Sequence, residues 1–259
     1  MRKFALEDVT FLFPVRLDSL IRLENLLLVT EHLLKHFSTN IYVLEADRHD
    51  NGLLGRLLAP SVKHFFVEDY DPVFYRTHYI NALTKKCATP FVAVWDSDVI
   101  VDPSQIIEAV RYLRDQSAEF VRPYNDLFLD TTMIIRSLYV KTRDLDRLHR
   151  QHGKMTPLYA PNPVGGGFFA NLEKYIESGS ENENFYGWGI EDGERVNRWK
   201  VLGYSYRNTS GVMYHLSHPR GVNSQFHSLD QMDIKNAELY RIVSMSQEEL
   251  KQEIATWKT

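Results

Sequence analysis

The sequence predicts an α/β domain on a largely parallel sheet, and three observations predict it. Apolar runs of strand length alternate with segments of helical periodicity through the first hundred or so residues. Three of the runs end in polar residues: Pro14-Val15-Arg16, Glu45 to Asp47, and Asp96 to Asp98. In open α/β sheets ligands bind outside the carboxyl ends of the strands, so three polar strand ends on one edge describe a binding cleft. The 259 residues, 44% hydrophobic and 25% charged, suit a soluble globular chain of one large domain or two small ones. The two parts, about 1–121 and 122–259, read as halves of a single domain.

Each element follows from its local pattern. Val9 to Pro14 is an apolar run closed by proline and reads as the first buried strand. Between Ser19 and Phe37, the residues Leu23, Leu26, Leu27, Leu33, Leu34 and Phe37 keep helical spacing. Ile41 to Asp47 and Val62 to Val67 are the second and third strands, and Phe74 to Cys87 is a helix. Pro90 to Trp95 is the next strand; it runs into Asp96-Ser97-Asp98, and Val99 to Val101 resumes it. Asp102-Pro103-Ser104-Gln105 then opens a helix, with Asp102 as N-cap, Pro103 at the first helical position and Gln105 completing a capping box. That structural task for Asp102 leaves Asp96 and Asp98 for another. Beyond about residue 122 the pattern loosens, and 127–150 reads as a mixed segment that includes a loop. Pro161 to Gly167 is a cluster of breakers. A helix runs from Glu191 to Leu202 with Gly203 as its stop. Ser246 to Glu249 is a second capping box, and Leu250, Ile254 and Trp257 share one helix face.

Composition excludes several classes. A formal net charge of -4 gives no reason to expect nucleic acid. The single cysteine, Cys87, rules out an internal disulfide framework and points to a reducing compartment. Met1 to Asp8 lacks the apolar core of a signal peptide, and no stretch approaches the ~20 apolar residues of a membrane span. The expected location is the cytoplasm, with peripheral docking on the inner face of a membrane left open.

Three segments carry chemistry. Asp96 and Asp98 end a buried strand, where an ionised carboxylate is costly unless a cation meets it. In an extended chain, residues two apart share a side, so the pair can converge on one hard cation, or on a cation and a sugar hydroxyl; an Asp-rich turn capping the next helix is the plainer alternative. In Asn184 to Glu194, Trp188 stands between Gly187 and Gly189 and ahead of Glu191, Asp192 and Glu194. The Trp offers a flat face for a sugar ring, although a core anchor followed by acidic residues at a helix N-terminus fits the same letters. His215 and His218, next to Pro219, are spaced to ligate a metal.

Together these segments resemble the GT-A fold glycosyltransferases, and most closely the β-1,4-galactosyltransferase group with the related bacterial chondroitin-synthase-type enzymes. The similar residues are Asp96-Ser97-Asp98, Phe185 to Asp192 and His215, together with Phe13-Pro14-Val15-Arg16, Phe74-Tyr75-Arg76 and Gly165-Gly166-Gly167, in the same order over roughly residues 9–220. The resemblance implies a Rossmann-like, mostly parallel sheet flanked by helices, with a nucleotide-binding and an acceptor-binding half. It implies a UDP-sugar donor, an oligosaccharide or lipid-linked glycan acceptor, and Mn²⁺, with Mg²⁺ as the alternative. By the same likeness Asp98 and His215 are metal ligands and Asp192 is the catalytic base of an inverting transfer. Pro14, Arg16, Arg76, Asp96 and Gly166 serve the donor, and Trp188 and Glu191 the acceptor. The chain departs from that group in three places. Val212 stands where a Met ligand is usual, with Met213 one residue later; Gly193 interrupts the acidic run after Asp192; and His218 has no counterpart, which makes it the alternative to His215. A glycoside hydrolase also uses paired carboxylates but needs no nucleotide site. A nucleotide-sugar-binding protein without catalysis is the remaining alternative.

Overall fold

The computed structural model describes residues 3–125 and 127–257. In chain order these form β1 (Phe4–Val15), α1 (Leu20–His36), β2 (Phe37–Asp47), α2 (Leu53–Leu57), β3 (Val62–Glu68), α3 (Arg76–Thr84), β4 (Phe91–Trp95), β5 (Val99–Val101), α4 (Pro103–Arg114), β6 (Phe120–Arg122) and β7 (Phe128–Asp130). There follow α5 (Met133–Thr142), α6 (Leu145–His149), β8 (Thr156–Pro157), β9 (Gly167–Asn171), α7 (Leu172–Glu177), α8 (Glu191–Leu202), β10 (Tyr206–Asn208), β11 (Met213–His215), α9 (Leu229–Val243) and α10 (Gln247–Ile254).

The larger sheet has seven strands in the order β10-β6-β9-β4-β1-β2-β3. All pairings in it are parallel except those of β9, which runs antiparallel to β4 and β6. Strand period decides how it is covered. Val9, Phe11, Phe13, Val43, Ala93 and Phe169 face the core beneath α1 and α4, where Leu26, Val29, Ile106 and Val110 meet them. Leu12, Tyr42, Leu44, Val92, Val94 and Phe168 face the other way, against Ile80 and Leu83 of α3 and Trp199 of α8. With both faces buried, the strands read as near-continuous apolar runs, which is what made them visible in the sequence.

Three helix ends form as expected: Asp102 and Gln105 build a capping box on α4, Ser246 and Glu249 build one on α10, and Gly203 closes α8 in the left-handed region at φ 80°. The structure adds Ser19 as the cap of α1.

Three expectations change. First, Val99–Val101 does not resume the preceding strand. The chain turns at Ser97-Asp98, and β5 joins a second, four-stranded sheet of order β5-β11-β7-β8. Second, 127–150 is not loop-like: β7, α5 and α6 occupy it. Its mixed polarity hid a buried arginine: Arg136 in α5 lies inside, with Nε donating to Asn25 Oδ1 at 2.8 Å and Nη2 to Oε2 of the half-exposed Glu24 at 2.5 Å. Third, the division near residue 121 falls inside β6, and the second half contributes β9 and β10 to the large sheet.

Arg136→Ala removes the Nε donor to Asn25 Oδ1, inside the fold. It should cost about 2 kcal/mol, since Glu24 is half exposed and keeps its hydration. Urea unfolding measures this; an unchanged midpoint would show that the pair does not hold α5 to α1.

Candidate active site

A cavity of about 470 Å³ opens at the carboxyl edge of the large sheet. All ten residues singled out above line it: Pro14, Arg16, Arg76, Asp96, Asp98, Gly166, Trp188, Glu191, Asp192 and His215. An adjoining hollow of about 480 Å³ shares Arg16, Asp18, Arg220 and Asn223 with it and extends toward Asp47 and Asp69 at the ends of β2 and β3.

On one side, Asp98, His215 and His218 bring a carboxylate oxygen and two imidazole nitrogens within 4.8 Å of one another. His218 Nε2 is 3.0 Å and His215 Nε2 3.8 Å from the same oxygen, Asp98 Oδ2. Backbone pairing sets this up: Val99 sits opposite His215 in the β5–β11 ladder, and the Leu216 amide donates to the Asp98 carbonyl at 2.7 Å. Both rings are anchored at the other nitrogen, His215 Nδ1 on Asp130 Oδ1 at 2.8 Å and His218 Nδ1 on its neighbour's Pro219 carbonyl at 2.9 Å. Burial opposes a charge on Asp98, but His215, His218 and Arg22 outweigh it and hold the carboxyl well below the usual range. Burial likewise disfavours a charged His215, and Asp98 and Asp130 overcome it and raise its pKa. One carboxylate and two imidazoles form a donor set that fits Mn²⁺ better than Mg²⁺, which prefers oxygen alone. The sequence left His215 and His218 as alternatives; the structure gathers both. Met213 stands apart from the group, fully buried, its sulfur 2.4 Å from where a Cβ on Gly166 would lie.

The opposite wall holds carboxylates. Arg76 Nη2 donates to Asp96 Oδ1 at 2.6 Å, and its Nη1 lies 3.8 Å from Glu191 and 4.0 Å from Asp192. Asp96 stands outside the Asp98, His215 and His218 group, because the turn at Ser97 sends the two carboxylates to different partners. Asp192 Oδ1 also accepts from Arg195 Nη2 at 2.5 Å, while Nη1 of the same guanidinium, 2% exposed, binds both oxygens of buried Glu181. Burial and the neighbouring Asp192 charge push Glu191 up to about 7 against the pull of Arg76. Glu191 Oε2 and Arg76 Nη1 are buried without a hydrogen-bond partner.

The backbone brings these groups in. Gly187 and Gly189 have φ of 77° and 98°, and a Cβ on Gly189 would sit 2.9 Å from the Phe226 ring. Ile190, the residue before α8, is left-handed at φ 74°, which costs a β-branched side chain about 1–3 kcal/mol. Lys235 of α9 braces the turn, its Nζ donating to the Trp188 carbonyl at 2.7 Å. Trp188 meets Phe226 edge-on at 5.3 Å, forming an aromatic corner of the cavity. A Cβ on Gly165 would come within 2.6 Å of Asp192 Oδ2.

Arg16 lines the cavity but is committed to the protein. It donates to the Ala46 carbonyl at 2.9 Å and the Asp71 carbonyl at 2.7 Å, and pairs with Asp69. Sequence reasoning missed Arg22, whose Nη1 is 3.8 Å from Asp98 Oδ2, and Arg220, which lines both hollows and reaches the Tyr159 hydroxyl at 3.4 Å. An Arg on the first turn of the helix after β1, and an Arg two residues past His218, were the available signals. Asp130 and Arg195 carried none, because their partners are set by tertiary pairing.

No family model and no curated protein matches the sequence. Solved structures do match. The catalytic domain of Drosophila β1,4-galactosyltransferase 7, in complex with xylobiose, is 16% identical with a TM-score of 0.57, over 88% of this chain and 79% of that one. A mutant of that enzyme complexed with manganese, UDP-Gal and xylobiose gives 16% and 0.52, over 86% and 78%. Glucosyl-3-phosphoglycerate synthase from Mycobacterium tuberculosis, in complex with Mn²⁺, UDP and phosphoglyceric acid, gives 15% and 0.53, over 92% and 78%. At such identities the likeness establishes the fold: this chain has the GT-A fold of glycosyltransferases.

Glu191 yields a stability prediction. Its folded pKa lies above its unfolded one, so the folded state holds the proton more tightly. The associated stability is present below the usual carboxylate range and lost as pH rises to about 7. Glu191→Gln should therefore raise the Tm of the metal-free protein at pH 8 and change it little at pH 4. Equal shifts at both values would show that the pKa of Glu191 does not change on folding.

Proposed function

We propose that this chain is an inverting, metal-dependent glycosyltransferase. It moves a hexose, galactose or N-acetylgalactosamine, from a UDP-sugar to a hydroxyl of a glycan or glycolipid in bacterial surface polysaccharide assembly. The observation that carries this reading is one cavity holding a metal-ligand group, Asp98, His215 and His218, and a separate carboxylate pair, Glu191 and Asp192. Residues 1–121 would mainly serve the donor nucleotide and 122–259 the acceptor and catalysis.

The chemistry divides among the residues as follows. A divalent ion on Asp98, His215 and His218, Mn²⁺ by preference, supplies Lewis acidity to the departing diphosphate. Arg22 and Arg220 add fixed, charge-assisted donors beside it, Arg220 at the junction of the two hollows. Asp96, turned toward Arg76, faces the ribose and donor side. Arg16 holds the ends of β1 and β2 and the loop after β3 together, so it shapes the nucleotide pocket more than it binds phosphate. Asp192 accepts the proton of the attacking hydroxyl, with Arg195 fixing its direction. One base and direct attack invert the anomeric centre. Glu191 Oε2 and Arg76 Nη1, the unpartnered atoms, match an acceptor and a donor for sugar hydroxyls. The Trp188–Phe226 corner offers an apolar face for an acceptor ring, which favours a neutral glycan over an anionic one.

Galactose is favoured by the sequence likeness alone, and a few pocket contacts set such preferences. No helix among the described residues is long and apolar enough to cross a membrane. We place the enzyme in the cytoplasm, working at the inner face of the membrane when the acceptor is lipid-linked.

Thermal unfolding with UDP, with and without Mn²⁺, should show a Tm rise that requires both; no shift with either would remove the donor-site reading. Asp192→Asn should retain Mn²⁺-dependent UDP binding and lose ~10²–10⁴-fold in transfer. Unchanged turnover in that variant would take the base assignment away from Asp192. Asp98→Ala should abolish the Mn²⁺ dependence of UDP binding, as read by calorimetry.

A further inference from the structure

We infer that Asp130, which does not line the cavity, is a positioning residue that sets the affinity for the divalent ion through His215. This rests on the metal-site reading above. Asp130 ends β7, which pairs in parallel with β11 and places Asp130 opposite His215 in the ladder. Two further bonds fix the register beside them. The Thr131 amide donates to the His215 carbonyl at 3.0 Å, and the Ser217 amide to the Thr131 hydroxyl at 3.0 Å. The contact between Asp130 Oδ1 and His215 Nδ1 at 2.8 Å is thus dictated by backbone pairing rather than by a wandering side chain.

The contact has two consequences. A carboxylate accepting from Nδ1 keeps the proton there, so the lone pair of Nε2 is the one directed toward Asp98. The negative charge behind the ring also makes Nε2 a stronger electron donor, as carboxylates behind ligating imidazoles do elsewhere. His218 provides the internal contrast. Its Nδ1 is held by a neutral carbonyl, that of Pro219, so its ring is oriented without the added charge. The two imidazoles are therefore unequal ligands, and His215 is the stronger because of Asp130. Asp130 is outside the group of convergent ligand atoms and acts only through His215.

The test uses the full chain and Mn²⁺ alone, titrated by calorimetry into wild type, Asp130→Ala and Asp130→Asn. Asp130→Ala should weaken the Mn²⁺ Kd by ~10–100-fold. Asp130→Asn, which keeps an oxygen acceptor and the side-chain size but not the charge, should fall between. The visible absorption of the Co²⁺-loaded protein should shift in Asp130→Ala, a change that a merely structural role would not produce. The metal-free Tm of Asp130→Asn should stay near that of wild type. Tight wild-type binding with an unchanged Kd and an unchanged Co²⁺ spectrum in both variants would overturn the role of Asp130 while leaving the metal site standing. Wild-type protein that binds no Mn²⁺ would overturn the metal assignment, and this inference with it.

Discussion

Five carboxylates line one cavity, and four of them, Asp96, Asp98, Glu191 and Asp192, crowd its inner walls; much of the surrounding structure answers that constraint. Charges in such a place persist only where cations or donors meet them. Asp98 has two imidazoles and Arg22, Asp96 has Arg76, and Asp192 has Arg195. Glu191 has a distant share of Arg76 and Lys235, and burial and the Asp192 charge outweigh them and raise its pKa. The uneven distribution separates the carboxylates by environment: Asp98 sits among imidazoles, Asp192 is fixed in direction by Arg195, and Glu191 holds its proton more tightly than an ordinary carboxyl. That separation, rather than the number of carboxylates, lets a single cavity hold distinct roles.

The groups are mounted on different supports. His215 and Asp130 belong to the ladder of the small sheet and Asp98 to the turn that enters it, while Asp192 and Glu191 begin α8 after a strained turn. The cost at Ile190 is offset locally by Lys235 on the Trp188 carbonyl and by two buried ion pairs beneath α8, Arg195 with Glu181 and Arg198 with Glu194. Removing one partner of such a pair exposes the other to the full cost of burial, which explains why so much charge stands behind one helix. Asp192 is thus held in one direction because the helix start that carries it is braced.

Much of this was legible from residue order. Apolar runs gave the strands because both faces of the large sheet are buried, and the caps on α4, α8 and α10 stood where side-chain chemistry demanded. Asp96, Asp98, Trp188 and Asp192 announced themselves by standing where a strand or helix interior has no use for them. What stayed hidden was set by long-range pairing. Asp130 meets His215 across 85 residues, and Arg136 meets Asn25 across 111. No local pattern reports such a partner, and an arginine buried against an asparagine looks, in sequence, like a surface charge. The same blindness made Arg16 resemble a free phosphate ligand, when its donors are turned onto Ala46, Asp69 and Asp71.

The Asp-Ser-Asp segment shows how a short turn sends a repeated residue into two environments. Had the chain stayed extended, both carboxylates would have pointed one way and competed for a single cation. Instead the Asp96 amide is held by the Gly166 carbonyl at 3.0 Å, at the edge of the large sheet, and the Asp98 carbonyl by the Leu216 amide, in the small one. Ser97 is the hinge between two ladders. Each aspartate inherits the environment of its own sheet, Arg76 on one side and the imidazoles on the other. The segment is therefore a junction between two sheets, and the surroundings of each carboxylate follow from the sheet it adjoins.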